Sequence, residues 1–210
     1  MATISEMHIV VVADISGSMS SMGDTPRIKL NEFIKEQHGK DKHAEVSIDC
    51  WTFSDTHKLL FENKSVAEAH IPELTPTGGT ALYASLGYII DKTGQKLANM
   101  PEASRPQRVI VVIYTDGEEN SSEEFDVAGI KSLIEELRSQ GWTFAFIGAN
   151  QEVEKVAFSI SIKNSLHFEA DAKSMKHMFV KENMARERYN MSVSQNSRDR
   201  DGLYDDEEKK

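Results

Sequence analysis

Four apolar stretches along the chain have the length and branching of β-strands: Met7 to Ala13, Glu45 to Phe53, Val109 to Tyr114 and Trp142 to Ile147. Ile9-Val10-Val11-Val12 and Val109-Ile110-Val111-Val112-Ile113 are apolar throughout, the pattern of strands covered on both faces. Between them the period changes from continuous to helical. Leu30, Phe33 and Ile34 share a face of a helix opened by Thr25-Pro26, with Thr25 as cap and Pro26 at the first helical position. Leu82, Leu86, Ile89, Ile90 and Leu97 predict a second helix from Thr80 to about Ala98. Val127, Ile130, Leu133, Ile134 and Leu137 predict a third, begun by a Ser121/Glu124 capping box and ended at Gly141.

Shorter elements fill the intervals. Ser54-Asp55-Thr56 is a tight turn, so His57 to Phe61 should return antiparallel as an edge strand guarded by Lys58 and Lys64. Gln151 to Ser159 reads as a short helix and Leu166 to Phe168 as a last strand. Asp171 caps a final helix reaching Arg188 or Tyr189, with Met175, Met178, Phe179 and Met184 inward as core filler. The order βα-β-β-αβ-αβ-αβ-α predicts a doubly wound α/β sheet, mostly parallel, with one antiparallel edge and helices on both faces. It occupies residues 1–190. From 191 to 210 apolar spacing disappears, and the acidic tail is expected to be disordered.

Composition narrows the class. A length of 210 residues suits one domain with a sheet buried on both sides. The net charge of −10 gives no general affinity for phosphate backbones, so nucleic acid is not the expected partner. The single cysteine, Cys50, lies in an apolar segment and reads as a small buried hydrophobe. Met1 to His8 lacks the basic and apolar regions of a signal peptide, and no apolar run nears the roughly 20 residues that span a bilayer. No membrane association and a cytoplasmic location are the expectations.

Chemistry concentrates where strands end. Asp14-Ile15-Ser16-Gly17-Ser18 follows the first strand and supplies a carboxylate and two hydroxyls at i, i+2 and i+4. Curled around Gly17, these side chains can converge, and hard oxygen ligands of mixed charge suit Mg²⁺ or a similar ion. On these residues alone, an ordinary turn with helix-capping hydroxyls explains the stretch equally well. Two further loops shift the balance. Thr77-Gly78-Gly79-Thr80 places Thr80 at a helix start, and Thr115-Asp116-Gly117 ends a second buried strand. Three such loops would meet at the carboxyl edge of a parallel sheet, where ligands bind in open α/β folds.

The set Asp14, Ser16, Ser18, Thr80 and Asp116 resembles the metal-ion-dependent adhesion site of von Willebrand factor A domains, complete and in order. The resemblance spans about Ile4 to Tyr189. It is nearest to small free-standing prokaryotic and phage-type members, through Thr-Asp-Gly-Glu-Glu-Asn (115–120) and Phe-Ile-Gly-Ala-Asn (146–150). It implies strand order 3-2-1-4-5-6. It also implies that Asp14 and Asp116 hold coordinated waters while Ser16 and Ser18 ligate directly; Thr80 would ligate directly or through water. The implied ion is Mg²⁺, with Mn²⁺ open and Ca²⁺ disfavoured by the small number of direct carboxylates. The implied activity is protein binding through an Asp or Glu of the partner. Met19, Gly79, Glu118 and Glu119 are candidate partner contacts, within specificity loops at Met19 to Asp24, 70–79 and Glu118 to Glu123. Asn150 is a further residue that could reach the cleft.

Two other functions compete. An accessory subunit of a MoxR- or chelatase-type AAA+ ATPase is consistent with the resemblance. A metal-dependent hydrolase or phosphatase is disfavoured. A haloacid-dehalogenase-type enzyme wants a second Asp two residues after the first, and Ser16 stands there. P-loop, nucleophile-elbow and zinc-ligand spacings are absent, His38 and His43 included.

Overall fold

A computed structural model describes residues 7–37, 45–116, 120, 126–149, 152–168 and 181. Six strands form a single sheet: β1 (Met7–Asp14), β2 (Val46–Phe53), β3 (His57–Ser65), β4 (Arg108–Thr115), β5 (Trp142–Ala149) and β6 (Asn164–Phe168). Their order is β3-β2-β1-β4-β5-β6. All neighbours pair in parallel except β2 and β3, which are antiparallel. The four α-helices are α1 (Thr25–Glu36), α2 (Leu82–Asn99), α3 (Val127–Ser139) and α4 (Glu152–Ser159). The doubly wound, six-stranded fold therefore stands as predicted. No described helix is long and apolar enough to cross a membrane.

Alternation along the central strands divides the core in two. Ile9, Val11 and Ala13 of β1 point to the face that holds α1, where they join Leu30, Phe33, Ile34, Ile110, Val112 and Tyr114. Val10 and Val12 point the other way, toward Leu86, Ile89 and Ile90 of α2 and Ile130 and Ile134 of α3. Every residue of β1 and β4 is buried. Full burial of one Val or Ile side chain stabilises by about 1.5–3 kcal/mol, so these two strands are the anchor of the molecule. Cys50 belongs to the α1 face, and burial pushes its thiol pKa well up.

The structure moves several predicted boundaries. At α1, Asp24 rather than Thr25 stands at the N-cap, so Thr25 and Pro26 are the first two helical residues. The Asp24 carboxylate makes no cap bond because it pairs with Arg27, whose Nε lies 2.6 Å away. Helix α2 begins at Leu82, leaving Thr80 ahead of it. Strand β3 continues to Ser65, beyond the predicted end at Phe61. Its far half is solvent-facing and polar, so burial writes no signal there; of the two register shifts around Cys50, the one between Ile48 and Cys50 falls at Asn63, at φ 50°, whose amide donates to Asp49 Oδ1 at 2.7 Å. Helix α3 is capped by Asp126, whose carboxylate accepts from the Gly129 amide at 2.8 Å. Val127, predicted inward, is exposed at this first turn. Ser121 and Glu124, the predicted helix over 171–189 apart from residue 181, and the tail from 191 lie outside the described residues.

Candidate metal centre

Parallel pairing of β1 with β4 brings Asp14 and Thr115 to the same edge of the sheet. Asp14 is 3% exposed. Its Oδ1 accepts from the Ser16 amide at 2.6 Å and its Oδ2 from the Thr115 hydroxyl at 2.5 Å. The first bond bends the chain back on itself, turning Ser16 and Ser18 to one side. Their hydroxyl oxygens are 3.0 Å apart. Ser18 in turn donates to Asp116 Oδ1 at 2.7 Å. Four of the five predicted site residues are therefore linked: Ser16, Ser18 and Asp116 through their side-chain oxygens, and Asp14 through the Ser16 amide.

Thr80 enters from the third loop and is buried. Its main chain is held on both sides. The Thr80 amide donates to Asn120 Oδ1 at 2.9 Å, and the Asn120 amide donates to the Thr80 carbonyl at 3.1 Å. The loop carrying Thr80 is also tied to the first loop, by Gly17 N to Gly78 O at 2.9 Å and Thr77 N to Ile15 O at 2.8 Å. Gly17 is the close-approach point: a Cβ there would meet the Gly78 carbonyl oxygen at 3.3 Å.

Burial raises the pKa of Asp14, outweighing the hydrogen bonds from Thr115 and Ser16, and the charge of Asp116 pushes the same way. Burial likewise raises Asp116 against the bond from Ser18. Among the described residues, neither carboxylate has an ion pair with a Lys, Arg or His. Among the described residues, two acids, one buried and one partly buried, thus lie at this edge of the sheet without a cationic side chain paired to either.

The donor set fits a small divalent ion. In an octahedron with metal–oxygen bonds of 2.0–2.1 Å, adjacent ligand oxygens are about 2.9 Å apart. The Ser16–Ser18 separation matches that span. The one hydroxyl proton of Ser18 is committed to Asp116, so Ser16 is the donor in the bond between the two serines, and Ser18 keeps one lone pair for a cation. Among the described residues no group of three or more His, Cys, Asp and Glu gathers.

The profile of the von Willebrand factor type A domain matches residues 8–186. The chain belongs to the von Willebrand factor type A family. Comparison with curated proteins finds no match. Solved structures that resemble this von Willebrand factor type A domain do so in fold. The ArnB paralog VWA2 from Sulfolobus acidocaldarius superposes with TM-score 0.57 at 16% identity, over 86% of this chain and 46% of its own. Proximal thread matrix protein 1 from the mussel byssus, in a form with a zinc-occupied metal-ion-dependent adhesion site, gives 0.56 at 16% identity over 85% and 45%. Manganese-loaded TRAP protein from Plasmodium vivax gives 0.53 at 15% identity, over 80% and 70%. The chain spans under half the length of the first two.

The predicted partner contacts fare differently. Met19 is 2% exposed and packs in the α1-side core, so it offers no surface to a partner. The cause is a 3-10 helix over Gly17–Met22, which the sequence pattern did not announce and which turns Met19 and Met22 inward. Gly79 is half-buried on the rim of the site. Glu118, Glu119 and Asn150 lie outside the described residues. Thr115, Asn120 and Asp55, all bonded into these loops, were not singled out by sequence. Of these, Thr115 carried a signal, being the hydroxyl residue next to Asp116 on a buried strand.

Proposed function

We propose that this von Willebrand factor type A domain is a protein-binding module whose metal site is Asp14, Ser16, Ser18, Thr80 and Asp116. One observation carries the reading: the Ser16 and Ser18 hydroxyls stand 3.0 Å apart while Ser18 gives its proton to Asp116. Ser16, Ser18 and Thr80 would hold the ion. Asp14 and Asp116 orient the hydroxyls and supply countercharge without spending their charge on direct bonds. Mg²⁺ suits the oxygen-only, mostly neutral donor set, and Mn²⁺ can replace it. When bound, the ion supplies an electrophilic position able to accept a carboxylate oxygen, so the partner should present an Asp or Glu. An AAA+ ATPase is one class of partner consistent with this mode. The metal forms of the mussel and Plasmodium proteins support the choice of a divalent ion. Hydrolysis is not favoured: the position that a phosphatase of the aspartyl type gives to its acid is Ser16, whose oxygen faces Ser18.

The test is capture from source-cell lysate in Mg²⁺, in EDTA, and with Thr80→Ala as bait. A protein held by the wild type in Mg²⁺ and released in both other conditions is the expected result. Identical capture in all three would remove the metal site from the binding surface.

A further inference from the structure

Thr80 precedes the first residue of α2, and the first bond into that helix runs from Ser85 N to Ala81 O. The Thr80 main chain therefore lies ahead of the helix proper. Its position is imposed by other loops, at three consecutive amides. Gly79 N donates to Asp55 Oδ1 at 2.8 Å, Thr80 N to Asn120 Oδ1 at 2.9 Å, and Ala81 N to Ser54 O at 2.9 Å. Asp55 and Ser54 come from the turn between β2 and β3. Asn120 comes from the segment after β4. The Asp55 carboxylate is seated against a bare glycine: a Cβ on Gly78 would lie 2.1 Å from Asp55 Oδ2, and Gly78 adopts φ +79°.

We infer that Asp55 and Asn120 are positioning residues for the metal centre, a two-sided clamp that sets the Thr80 hydroxyl by gripping the peptide groups around it. The inference rests on the metal-binding reading above and deepens it. Neither residue belongs to the five-residue ligand set. Asp55 acts through its oxygen as an acceptor, and its negative charge is incidental. The distinction matters because an exposed carboxylate beside a cation site invites the opposite explanation, long-range attraction. Asn120 acts as a bracket, with its side-chain oxygen and its own amide bonding the amide and the carbonyl of one residue.

The experiment uses the full chain and two readouts. The first is Mn²⁺ affinity, measured by electron paramagnetic resonance of the free ion. The second is amide hydrogen exchange of Gly79 and Thr80 in metal-free protein, resolved by NMR. Asp55→Ala and Asn120→Ala should each weaken Mn²⁺ binding about tenfold. Asp55→Asn keeps the acceptor and loses the charge; it should bind within about twofold of wild type. Without metal, exchange of Gly79 in Asp55→Ala, and of Thr80 in Asn120→Ala, should accelerate at least about tenfold. Ser16→Ala separates the two failures. If Ser16→Ala abolishes Mn²⁺ binding while both alanine variants retain it, the clamp is wrong and the metal site stands. If wild type and Ser16→Ala bind Mn²⁺ alike, the metal reading fails and takes the clamp's purpose with it. Asp55→Asn as weak as Asp55→Ala would show that charge, not placement, is what Asp55 contributes.

Discussion

We expect Asp14 to be necessary for metal binding and dispensable for folding. Its two oxygens accept from the Ser16 amide and the Thr115 hydroxyl. An asparagine could keep both bonds: its carbonyl accepts from Ser16 N, while its amide donates to a Thr115 hydroxyl rotated to receive it. We expect Asp14→Asn to change metal-free stability by no more than about 1 kcal/mol. The wild type should gain about 2.7 kcal/mol at a Mg²⁺ concentration of about 100 times Kd, and the variant should gain nothing. Thermal melts with and without Mg²⁺ check both halves, and a preserved Mg²⁺-dependent shift in Asp14→Asn would contradict the assignment. Asp14, Ser16, Ser18, Thr80 and Asp116 stood out in the sequence because they are short oxygen-bearing side chains at strand ends and a helix start, positions that the apolar pattern marks. Asp55, Asn120 and Asn31 did not. They serve main-chain groups 24 to 40 positions away, which only the topology brings near; Asn31, for example, brackets Ile71 with bonds of 2.8 and 2.9 Å. Met19 misled for a related reason, since a methionine in a polar loop shows no period and its 3-10 turn alone decides which way it faces.

Among the elements, β1, β2 and α2 meet in a second polar cluster at the far end of the sheet from the metal loops. His8 Nε2 lies 3.2 Å from Asp49 Oδ2, Lys96 of α2 bonds the same oxygen, and His8 Nδ1 meets Ser47 Oγ at 2.8 Å. Glu62 flanks Lys96 at 3.6 Å. Burial by itself would raise the Asp49 pKa, but the hydrogen bond and charge of His8, then Lys96 and the Asn63 amide, hold it below the ordinary 3.8. An acid held low in the folded state contributes stability above its unfolded-state pKa and loses it as pH falls through the folded value. The loss therefore falls below about pH 4. Lys96→Met removes one counterion and leaves the stem packed. It should cost about 2 kcal/mol at pH 7, less than a fully buried pair because Lys96 is part-exposed, and it should flatten the acid limb. Urea midpoints between pH 2.5 and 7 measure this, and an unchanged acid limb would mean Lys96 does not hold Asp49. The cluster escaped sequence reading because Val46 to Phe53 alternates as a simple strand, and nothing in that alternation says which polar residue is covered by a helix. The polar half of β3 was lost to view in the opposite way, since an exposed edge has no apolar period to read.

For the molecule as a whole, the two continuous apolar strands were enough to predict the layered sheet, because a strand covered on both faces leaves no alternative to flanking helices. Cys50 tests the closure of that core. Its buried thiol, with its pKa raised, should react with a thiol reagent only when the chain opens. At pH 8 we expect native labelling at least about a thousandfold slower than in denaturant, tracking global stability across the variants above. Fast labelling of the native protein would show a looser α1 face than the packing implies. The strand order also divides the chain cleanly: β1, β2 and β3 precede the stretch at 100–107, and β4, β5 and β6 follow it. Asp14, Ser16, Ser18 and Thr80 lie in the first half and Asp116 in the second, joined across the β1–β4 seam. Severed at that stretch, at the edge remote from the metal loops, the protein would become a pair of complementing fragments. Each would carry an incomplete set of oxygens, and the ion would report their reunion.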